Sequence, residues 1–477
     1  MIPRHLLLVL LLGVAAIACK SSGGAKCEIG GGQPLAASAP WPKFRRDVAN
    51  TGRTDASIDL SSTTGVVFRW VFPDLTSEPF NSISTSPIVG EGDTVYLVGE
   101  TPPGQGTTLH LYALDAAGED VGGFDLSFPP SVTSTITSVP LLTAPANSDP
   151  QVHPQIVIPL GQGQVERYDL TDRLFLNGAT VSGGVSSSPA VDNQGDVFVN
   201  SLTGNYFCIC QNGVAHFARV TGAGQAAVAL DVVSPAVVQD DVTIVAGTDG
   251  RLRAFNVDGT QLWLFSASAP INAAPVIDAT RRRAYVADSA GKVFAVGLLH
   301  GRRCSDFAYD AGAPISASPA LGRDGSNGPE TFYVATEDGV LAALNLPGPS
   351  FSDTTKDACE ELTAPPTPML RWQFTAGGTI RSSPAVTTGG DHDVVVFGAD
   401  DGNVYAIADD GSTATQLWKQ ALEDGGAVGT SSAALGSDGA IYIATQGGRL
   451  YALEPMGVII RTITPTTQPT PTATPIA

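Results

Sequence analysis

One sequence unit recurs along most of this 477-residue chain. Its clearest copy, residues 379–410, contains three short apolar runs separated by clusters of Gly and Asp. Runs of this length that are rich in valine and tyrosine are typical of β-strands, and the Asp401-Gly402 pair between two of them is typical of a hairpin turn. A single copy is too small a sheet to be stable alone, so the copies must pack against one another.

Eight copies align on one small residue in the first apolar run. These anchor residues are Pro87, Pro140, Pro189, Pro235, Pro275, Pro319, Pro384 and Ala433. Their spacing averages about 49 residues, which is within the range of propeller repeats. The position two residues after the anchor is aliphatic in every copy, and the positions just before it are nearly all small, as expected for an innermost strand crowded around an axis. We therefore predict an all-β fold, an eight-bladed β-propeller of four-stranded antiparallel blades.

The N-terminus has the pattern of an export signal. Arg4 provides a positive start, and the apolar run over residues 6–18 is shorter than the roughly 20 residues of a membrane-spanning helix. Residues 16–19 resemble the lipobox of bacterial lipoproteins, in which the cysteine becomes the lipidated first residue. We expect a signal peptide over residues 1–18 and lipidation at Cys19. The alternative is an ordinary secretion site with Cys19 beyond it.

Two low-complexity segments flank the repeats. Residues 19–40 comprise the lipidated cysteine and a tether rich in Ser, Gly and Ala, whose mean reach is roughly 25 Å. Residues 464–477 are almost entirely Thr and Pro and predict a disordered tail. Lys20 stands where the retention signal of inner-membrane lipoproteins resembles an aspartate, which favours the outer membrane.

The segment before the first blade, residues 41–53, resembles the opening sequence of the PQQ-like (pyrroloquinoline-quinone-like) β-propeller family. The repeats that follow resemble the same family, so the resemblance implies one propeller over residues 41–463. Residues 256–263 resemble the family's turn into an outer strand, whose tryptophan docks against the next blade. Tryptophan occupies that position only at Trp70, Trp263, Trp372 and Trp418, so the blades have diverged.

An outer-strand motif also precedes the first full repeat. Residues 68–72 match residues 370–374 and have no blade of their own. We expect this N-terminal strand to complete the last blade, whose first three strands come from residues 430–454, because closing the ring removes an open edge. Residues 458–463 are the alternative for the same place.

The charge balance limits the possible partners. The chain carries 26 Lys and Arg against 46 Asp and Glu, a formal net charge of −20. Nucleic acid and anionic lipid surfaces both attract basic patches, so neither is expected to bind. Attachment to a membrane must then come from the N-terminal lipid.

An exported chain meets an oxidising compartment, in which its cysteines can form disulfides. Cys304 and Cys359 lie in the outer regions of blades 5 and 6, where they could form a disulfide. Cys208 and Cys210 are two apart on a predicted strand, with Cα atoms about 6.6 Å apart, near the limit for bridging. The alternative for this pair is a role as small buried apolar residues.

No catalytic constellation emerges from the sequence. The six histidines are scattered singly, and no nucleophile elbow, phosphate-binding loop or calcium loop is present. The family also contains quinoprotein dehydrogenases, which use a quinone with calcium, a catalytic aspartate and a disulfide between adjacent cysteines. This chain has no adjacent cysteine pair. We therefore predict no catalytic residue, no metal and no cofactor.

Arg381 is the one outlier in the repeat. It lies three positions before its anchor, where the other copies have Ser, Thr, Val or Asn. A long cation there could bind an anionic group at the mouth of the central channel. Alternatively, it reaches solvent or pairs with a nearby acid such as Asp400.

These observations predict an exported, monomeric propeller anchored by lipid to the bacterial cell envelope, at the outer membrane and facing the periplasm. Within the family, the chain resembles the propeller lipoproteins of outer-membrane β-barrel assembly. That resemblance implies a non-catalytic scaffold with an envelope or outer-membrane protein as its partner. Two alternatives remain, a dehydrogenase of alcohols or sugars that depends on pyrroloquinoline quinone with calcium, and a sensor propeller that binds a glycan or cell-wall fragment.

Overall fold

The computed structural model describes the chain between residues 35 and 456, with internal gaps. The gaps are residues 37, 48, 58–64, 81–82, 84, 101–108, 127–137, 145–152, 186, 193–194, 202, 211–212, 214, 221–235, 239–241, 257–258, 326–327, 347–358, 360–369 and 390–391. The predicted signal peptide, the lipidation site Cys19, the tether before Leu35, residues 458–463 and the tail therefore lie outside the described residues.

Eight four-stranded antiparallel sheets form the predicted propeller. From the innermost strand outwards, blade 1 contains Ile88–Val89, Val95–Glu100, Leu109–Leu114 and Phe124–Asp125, and blade 2 contains Leu141–Thr143, Gln155–Pro159, Gln164–Asp169 and Leu174–Thr180. Blade 3 contains Ala190–Val191, Val197–Asn200, Asn205–Ile209 and Ala215–Val220, and blade 4 contains Ala236–Val238, Val242–Gly247, Arg251–Phe255 and Gln261–Ser266.

The second half of the ring repeats this order. Blade 5 contains Val276–Asp278, Arg283–Ala287, Lys292–Gly297 and Arg303–Asp310, and blade 6 contains Ala320–Leu321, Thr331–Ala335, Val340–Asn345 and Leu370–Thr375. Blade 7 contains Ala385–Gly389, His392–Ala399, Asn403–Asp409 and Ala414–Ala421, and blade 8 contains Ala434–Leu435, Ile441–Ala444, Leu450–Pro455 and Val66–Phe72.

Four short elements of the described chain lie outside this pattern. The strand Arg53–Ser57 pairs in parallel with the inner strand of blade 7, the strands Asp324–Gly325 and Gly328–Pro329 form a small hairpin in blade 6, and Glu91–Asp93 is a single 3₁₀ turn. Within the described part of the chain, no helix has the length and apolarity needed to cross a membrane.

The N-terminal strand closes the ring, as predicted. Val66–Phe72 pairs antiparallel with Leu450–Pro455 and is the outer strand of blade 8. Backbone hydrogen bonds inside blade 8 thus join a strand from the start of the propeller to the strands from its end, and Leu450–Pro455 is not left as an open edge.

Outer-strand tryptophans dock against the following blade, which confirms the predicted role. The indole Nε1 of Trp263 donates to the carbonyl of Leu298 in blade 5 at 2.8 Å, and that of Trp70 donates to Ala116 in blade 1 at 3.2 Å. Gly301 lies against the Trp263 ring, where an added Cβ would come within 2.5 Å of it. Gly301 also has a φ of 68°, which a side chain would strain.

A chain of serine hydroxyls connects the inner strands of neighbouring blades. In each link, the backbone N–H of the residue before the anchor donates to the hydroxyl of the corresponding serine in the next blade. The links run from Val139 to Ser188, Ala274 to Ser318, Ser318 to Ser383, Ser383 to Ser432 and Ser432 to Ser86, at N···O distances of 2.8 to 3.1 Å. Small residues therefore stand at this position for a second reason besides crowding, because the hydroxyl satisfies a buried amide.

Replacing Ser432 by alanine tests this role. The amide of Ser383 would lose its buried acceptor, so we expect the free energy of unfolding to fall by about 1–3 kcal/mol. Urea unfolding of the variant and of the unmodified protein measures this difference. Ser182→Ala, which changes an exposed serine in the turn after the outer strand of blade 2, should stay within about 0.5 kcal/mol. Equal loss in the two variants would contradict the link between blades.

Candidate functional site

The centre of the ring is occupied by the N-terminal segment of the chain. The described residues among 35–52, called the channel segment here, form no blade and lie across the inner strands. Five inner-strand residues, each two positions after its anchor, donate their backbone N–H to carbonyls of this segment. The bonds run from Val89 to Trp41, Leu142 to Pro42, Ile277 to Ala49, Leu321 to Thr51 and Val386 to Gly52, at 2.8 to 2.9 Å. The channel segment thereby binds blades 1, 2, 5, 6 and 7.

Two polar side chains of the channel segment bind carbonyls of the anchor prolines. Arg45 donates through Nη1 to Pro384 at 2.6 Å and through Nη2 to Pro319. The Asn50 side-chain amide donates to the carbonyl of Pro275 at 3.1 Å. Both side chains are buried, and burial lowers the pKa of Arg45 to about 9. One guanidinium therefore bridges blades 6 and 7 from the axis of the ring.

Lys43 holds the turn of the channel segment together from inside. Its buried Nζ donates to the carbonyl of Phe44 at 2.7 Å, to the carbonyl of Asp47 at 3.2 Å and to Oδ1 of Asn50 at 2.7 Å. Burial lowers the pKa of Lys43 to about 7, against a weaker opposing effect of the Asp47 charge. The three acceptors of Nζ all belong to the same loop, and the lysine side chain is buried.

Apolar side chains of the channel segment join clusters on different sides of the ring. Trp41 belongs to the buried cluster formed by blades 7, 8 and 1. Phe44 belongs to a second cluster that includes Leu142 of blade 2 and Ala274 of blade 5, across the axis. The channel is thus packed as a core at this level.

Described residues upstream of the predicted propeller start at Trp41 also contact the ring. Leu35 pairs with Thr143 in an isolated bridge, and the amide of Ala36 donates to Leu142 at 3.1 Å. The chain therefore reaches the ring at the inner strand of blade 2, within the region that the sequence assigned to the tether.

Arg381 lies just before the inner strand of blade 7, five residues before Val386, which is the contact of the channel segment in the same blade. Its half-exposed guanidinium pairs with Asp400, whose other oxygen accepts the amide of Gly429 at 3.1 Å. Arg381 thus pairs with Asp400, the acid that the sequence analysis named as the alternative to a ligand. A ligand contact at this residue stays a prediction.

Among the described residues, the acid beside Arg381 is not free to hold the calcium of a quinone site. Asp400 is already engaged by Arg381 and by the Gly429 amide. A group of three potential metal ligands does come together in the described chain, but His153, Asp169 and Asp172 lie on blade 2 outside its inner strand. We therefore derive no reaction step through such a cofactor.

The cysteines are placed as follows. Cys304, in the outer strand of blade 5, forms a disulfide with Cys359, which precedes the outer strand of blade 6, and their Cα atoms are 4.5 Å apart. Cys208 is free and buried, whereas Cys210 is disulfide-bonded, so these two are not bonded to each other. The bond between Cys304 and Cys359 connects neighbouring blades at the periphery of the ring.

Sequence reasoning missed the three polar residues of the channel segment, Lys43, Arg45 and Asn50. One usable signal was present, because Asn and Gly tolerate positive φ and stand close together at Asn50 and Gly52. Both residues do adopt positive φ, as do Arg45 and Arg46, so the segment is a compact loop. Positive φ at these positions excludes a β-strand for this segment. Polar side chains of such a loop need hydrogen-bond partners when they are buried.

Comparison with known proteins identifies the relatives of this ring. A family model described as outer membrane protein assembly factor BamB matches residues 110–318 and 362–470, more than half of the chain. No curated protein sequence matches. Among solved structures, BamB from Moraxella catarrhalis is similar with a TM-score of 0.55 at 14% identity, covering 82% of this chain and 99% of its own.

Other solved propellers are similar to a comparable degree. A europium-containing methanol dehydrogenase has a TM-score of 0.59 at 13% identity, covering 88% of this chain and 98% of its own. The computationally designed protein Ika8 has a TM-score of 0.53 at 13% identity, covering 79% of this chain and 98% of its own. At these identities the structural likenesses show the fold alone.

Replacement of Arg45 by alanine tests whether the channel segment holds the ring. We expect a loss of about 2–4 kcal/mol in the free energy of unfolding, because two buried carbonyls on different blades lose their donor. Arg46→Ala is the matched control, since both arginines have positive φ. Arg46 is partly exposed, and its ion pair with Asp47 is long, at 3.9 Å between Nη1 and Oδ2. The control should lose less than about 1 kcal/mol in urea unfolding. Equal losses would contradict a special role of Arg45.

The low pKa of Lys43 predicts a pH dependence of stability. Between its folded pKa of about 7 and its unfolded value of 10.5, the unfolded chain binds the additional proton, so stability rises with pH in this interval. The slope for this one group approaches about 1.4 kcal/mol per pH unit. Urea unfolding at pH 7.5, 8.5 and 9.5 should show this slope in the difference between the unmodified protein and Lys43→Met. A difference that is flat with pH would contradict the prediction.

Proposed function

This chain belongs to the family of the outer membrane protein assembly factor BamB, and from that premise we propose that it is a non-catalytic propeller that binds proteins at the bacterial envelope. The observation that carries the proposal is the filled channel. The chain's own residues occupy the inner edges of five blades, with Lys43 and Arg45 buried there. The surfaces left for partners are the loops of the two faces and the outer strands.

The proposed attachment to the membrane is a lipid on Cys19. The short apolar run before it and the lipobox-like residues 16–19 support this attachment. The tether of about twenty residues would hold the ring within roughly 25 Å of the surface. Lys20 favours the outer membrane and the periplasmic side.

The proposed partner is another protein of the envelope. Family membership supports this class, because the family is described by its role in outer membrane protein assembly. The net charge of −20 favours partners with a basic contact surface, since opposite charges steer association and repel wrong partners.

Replacing Cys19 by serine tests the attachment in cells. We expect Cys19→Ser to move the protein from the membrane fraction to the soluble fraction, because the lipid would be its only hold on the bilayer. Ser21→Ala, two residues further on, is the matched control and should stay in the membrane fraction. A Cys19→Ser variant that still sediments with membranes would contradict lipid anchoring.

The binding role is tested by crosslinking in the same cells. We expect the unmodified protein to form a covalent adduct with an integral outer-membrane protein, and Cys19→Ser to form much less of it. Reduction of a dye by the purified protein with an alcohol, pyrroloquinoline quinone and calcium would overturn the proposal in favour of a dehydrogenase. A melting temperature raised only by cell-wall fragments would overturn it in favour of a glycan sensor.

A further inference from the structure

A histidine and two aspartates of blade 2 come together in the folded chain. His153 lies two residues before the strand Gln155–Pro159, Asp169 is the last residue of the strand Gln164–Asp169, and Asp172 lies in the turn that follows. Their potential ligand atoms all lie within 4.8 Å of one another. Imidazole nitrogen and carboxylate oxygen are ligands that proteins use for zinc. The sequence did not reveal this set, because His153 and Asp169 are 16 positions apart.

The contacts of His153 converge on one ring nitrogen. Its Nδ1 lies 3.2 Å from Oδ1 and 3.1 Å from Oδ2 of Asp169, and 3.3 Å from Oδ2 of Asp172. One N–H can point at only one of these oxygens, and a charge-assisted N–H···O⁻ bond is usually about 2.7–2.9 Å long. A single hydrogen bond therefore does not account for three longer contacts at the same nitrogen.

The distances fit an ion shared by the three side chains. Zinc binds nitrogen and oxygen at about 2.0–2.2 Å in tetrahedral geometry, which places two of its ligand atoms about 3.4 Å apart. The separations from Nδ1 of His153 to the Oδ2 atoms of Asp169 and Asp172, 3.1 and 3.3 Å, are close to this value. An ion there would take the lone pair of a neutral imidazole and would offset the repulsion between two neighbouring carboxylates.

The backbone holds Asp169 and the segment of His153 in place. Asp169 is buried, and its Oδ1 accepts the N–H groups of Thr171 and Asp172 at 2.8 Å each. The amide of Leu170 donates to the carbonyl of Pro154, the neighbour of His153, at 3.0 Å. Groups that orient a ligand strengthen metal binding, so Oδ2 of Asp169 is positioned as a ligand before any ion arrives.

The site is open to solvent on one side. The side chains of His153 and Asp172 are 30% and 57% exposed. A cavity of about 190 Å³ adjoins the site, since its lining includes Pro154, Leu170 and Thr171. Three protein ligands with a fourth position open are the arrangement in which zinc keeps a water molecule.

A histidine of blade 1 with two aspartates lacks this geometry. His110 lies 2.7 Å from Asp125 through Nδ1 and 3.2 Å from Asp120 through Nε2. The two acids face opposite ring nitrogens, so an ion bound to either nitrogen would gain only one carboxylate. The contact of 2.7 Å has the length of an ordinary charge-assisted hydrogen bond. His110 is therefore a matched control for His153.

We propose that His153, Asp169 and Asp172 bind a divalent transition-metal ion of the zinc type. The imidazole favours such ions over calcium and magnesium, which prefer oxygen ligands. The ion would join the segment before the second strand of blade 2 to the turn before its outer strand. This site lies away from the channel segment, and the inference goes beyond the proposed binding of envelope proteins.

Zinc binding to the full chain tests the inference. The probe is Zn²⁺ alone, added in equilibrium dialysis to protein without a histidine tag, and Co²⁺ reports the ligand geometry through its visible absorption. We expect one saturable zinc site, cobalt absorption typical of tetrahedral coordination, and a higher melting temperature in zinc. Ca²⁺ at the same concentration should leave the melting temperature unchanged.

Variants of the protein locate the site. His153→Gln and Asp172→Asn should each weaken zinc binding at least about tenfold, because each removes one ligand. Both residues are partly or fully exposed, so the variants should fold, and thermal melting without zinc checks this. His110→Gln is the matched control and should change zinc binding less than about twofold.

Four outcomes would overturn the inference. They are no saturable zinc binding, unchanged binding in His153→Gln, equal weakening in His110→Gln, and equal stabilisation by Ca²⁺ and Zn²⁺, which would indicate an acidic surface instead of a transition-metal site. The crosslink to an envelope protein in cells is a separate measurement. Failure of the metal site would therefore leave the proposed function standing, and loss of the crosslink would leave the metal site standing.

Discussion

The fold depends on hydrogen bonds between the channel segment and the inner strands. In a ring of blades, the innermost edges direct N–H and C=O groups toward an axis that has no further strand to pair with them. Here the carbonyls of residues 41–52 accept those amides, and Arg45 and Asn50 donate to the anchor carbonyls. Each blade otherwise packs mainly on its two neighbours, so this segment is what connects blades across the ring. The same stretch of chain then continues to the strand that closes blade 8.

Because the axis is filled, differences among the blades matter most at the periphery. Where an outer strand has its tryptophan, as in blade 4, Trp263 is anchored on the next blade and the strand alternates regularly between buried and exposed residues. Blade 2 has no such tryptophan, and its outer strand begins with three exposed apolar residues in a row. Loss of the docking residue thus coincides with exposed apolar side chains on the outer strand.

The sequence repeat predicted the ring because each copy shows the same local features of a four-stranded blade. A small anchor, an aliphatic residue two positions later and a Gly-containing turn are local features, and the match between residues 68–72 and 370–374 was enough to predict closure. The channel was not predictable in this way, because Arg45 and Pro384 are 339 positions apart and no repeat relates them. Charged residues in a short segment without a repeat suggest a surface loop, yet Lys43 and Arg45 are buried. For Arg381 the sequence predicted contact with solvent or with a nearby acid such as Asp400 in preference to an anionic ligand, and the structure shows the pair with Asp400.

Two buried cations at the centre of an acidic protein require an explanation, since burial lowers the pKa of both and costs free energy. An apolar side chain in place of Arg45 would avoid that cost but would leave two anchor carbonyls without donors. A guanidinium has five N–H donors in fixed geometry. Arg45 can therefore donate to the carbonyls of Pro319 and Pro384 together only from one position along the channel. A slip of the channel segment by one residue would break both bonds and shift the strand Arg53–Ser57 against blade 7. The buried charge therefore specifies the register of the segment, and that register places the following strand where blade 8 needs it.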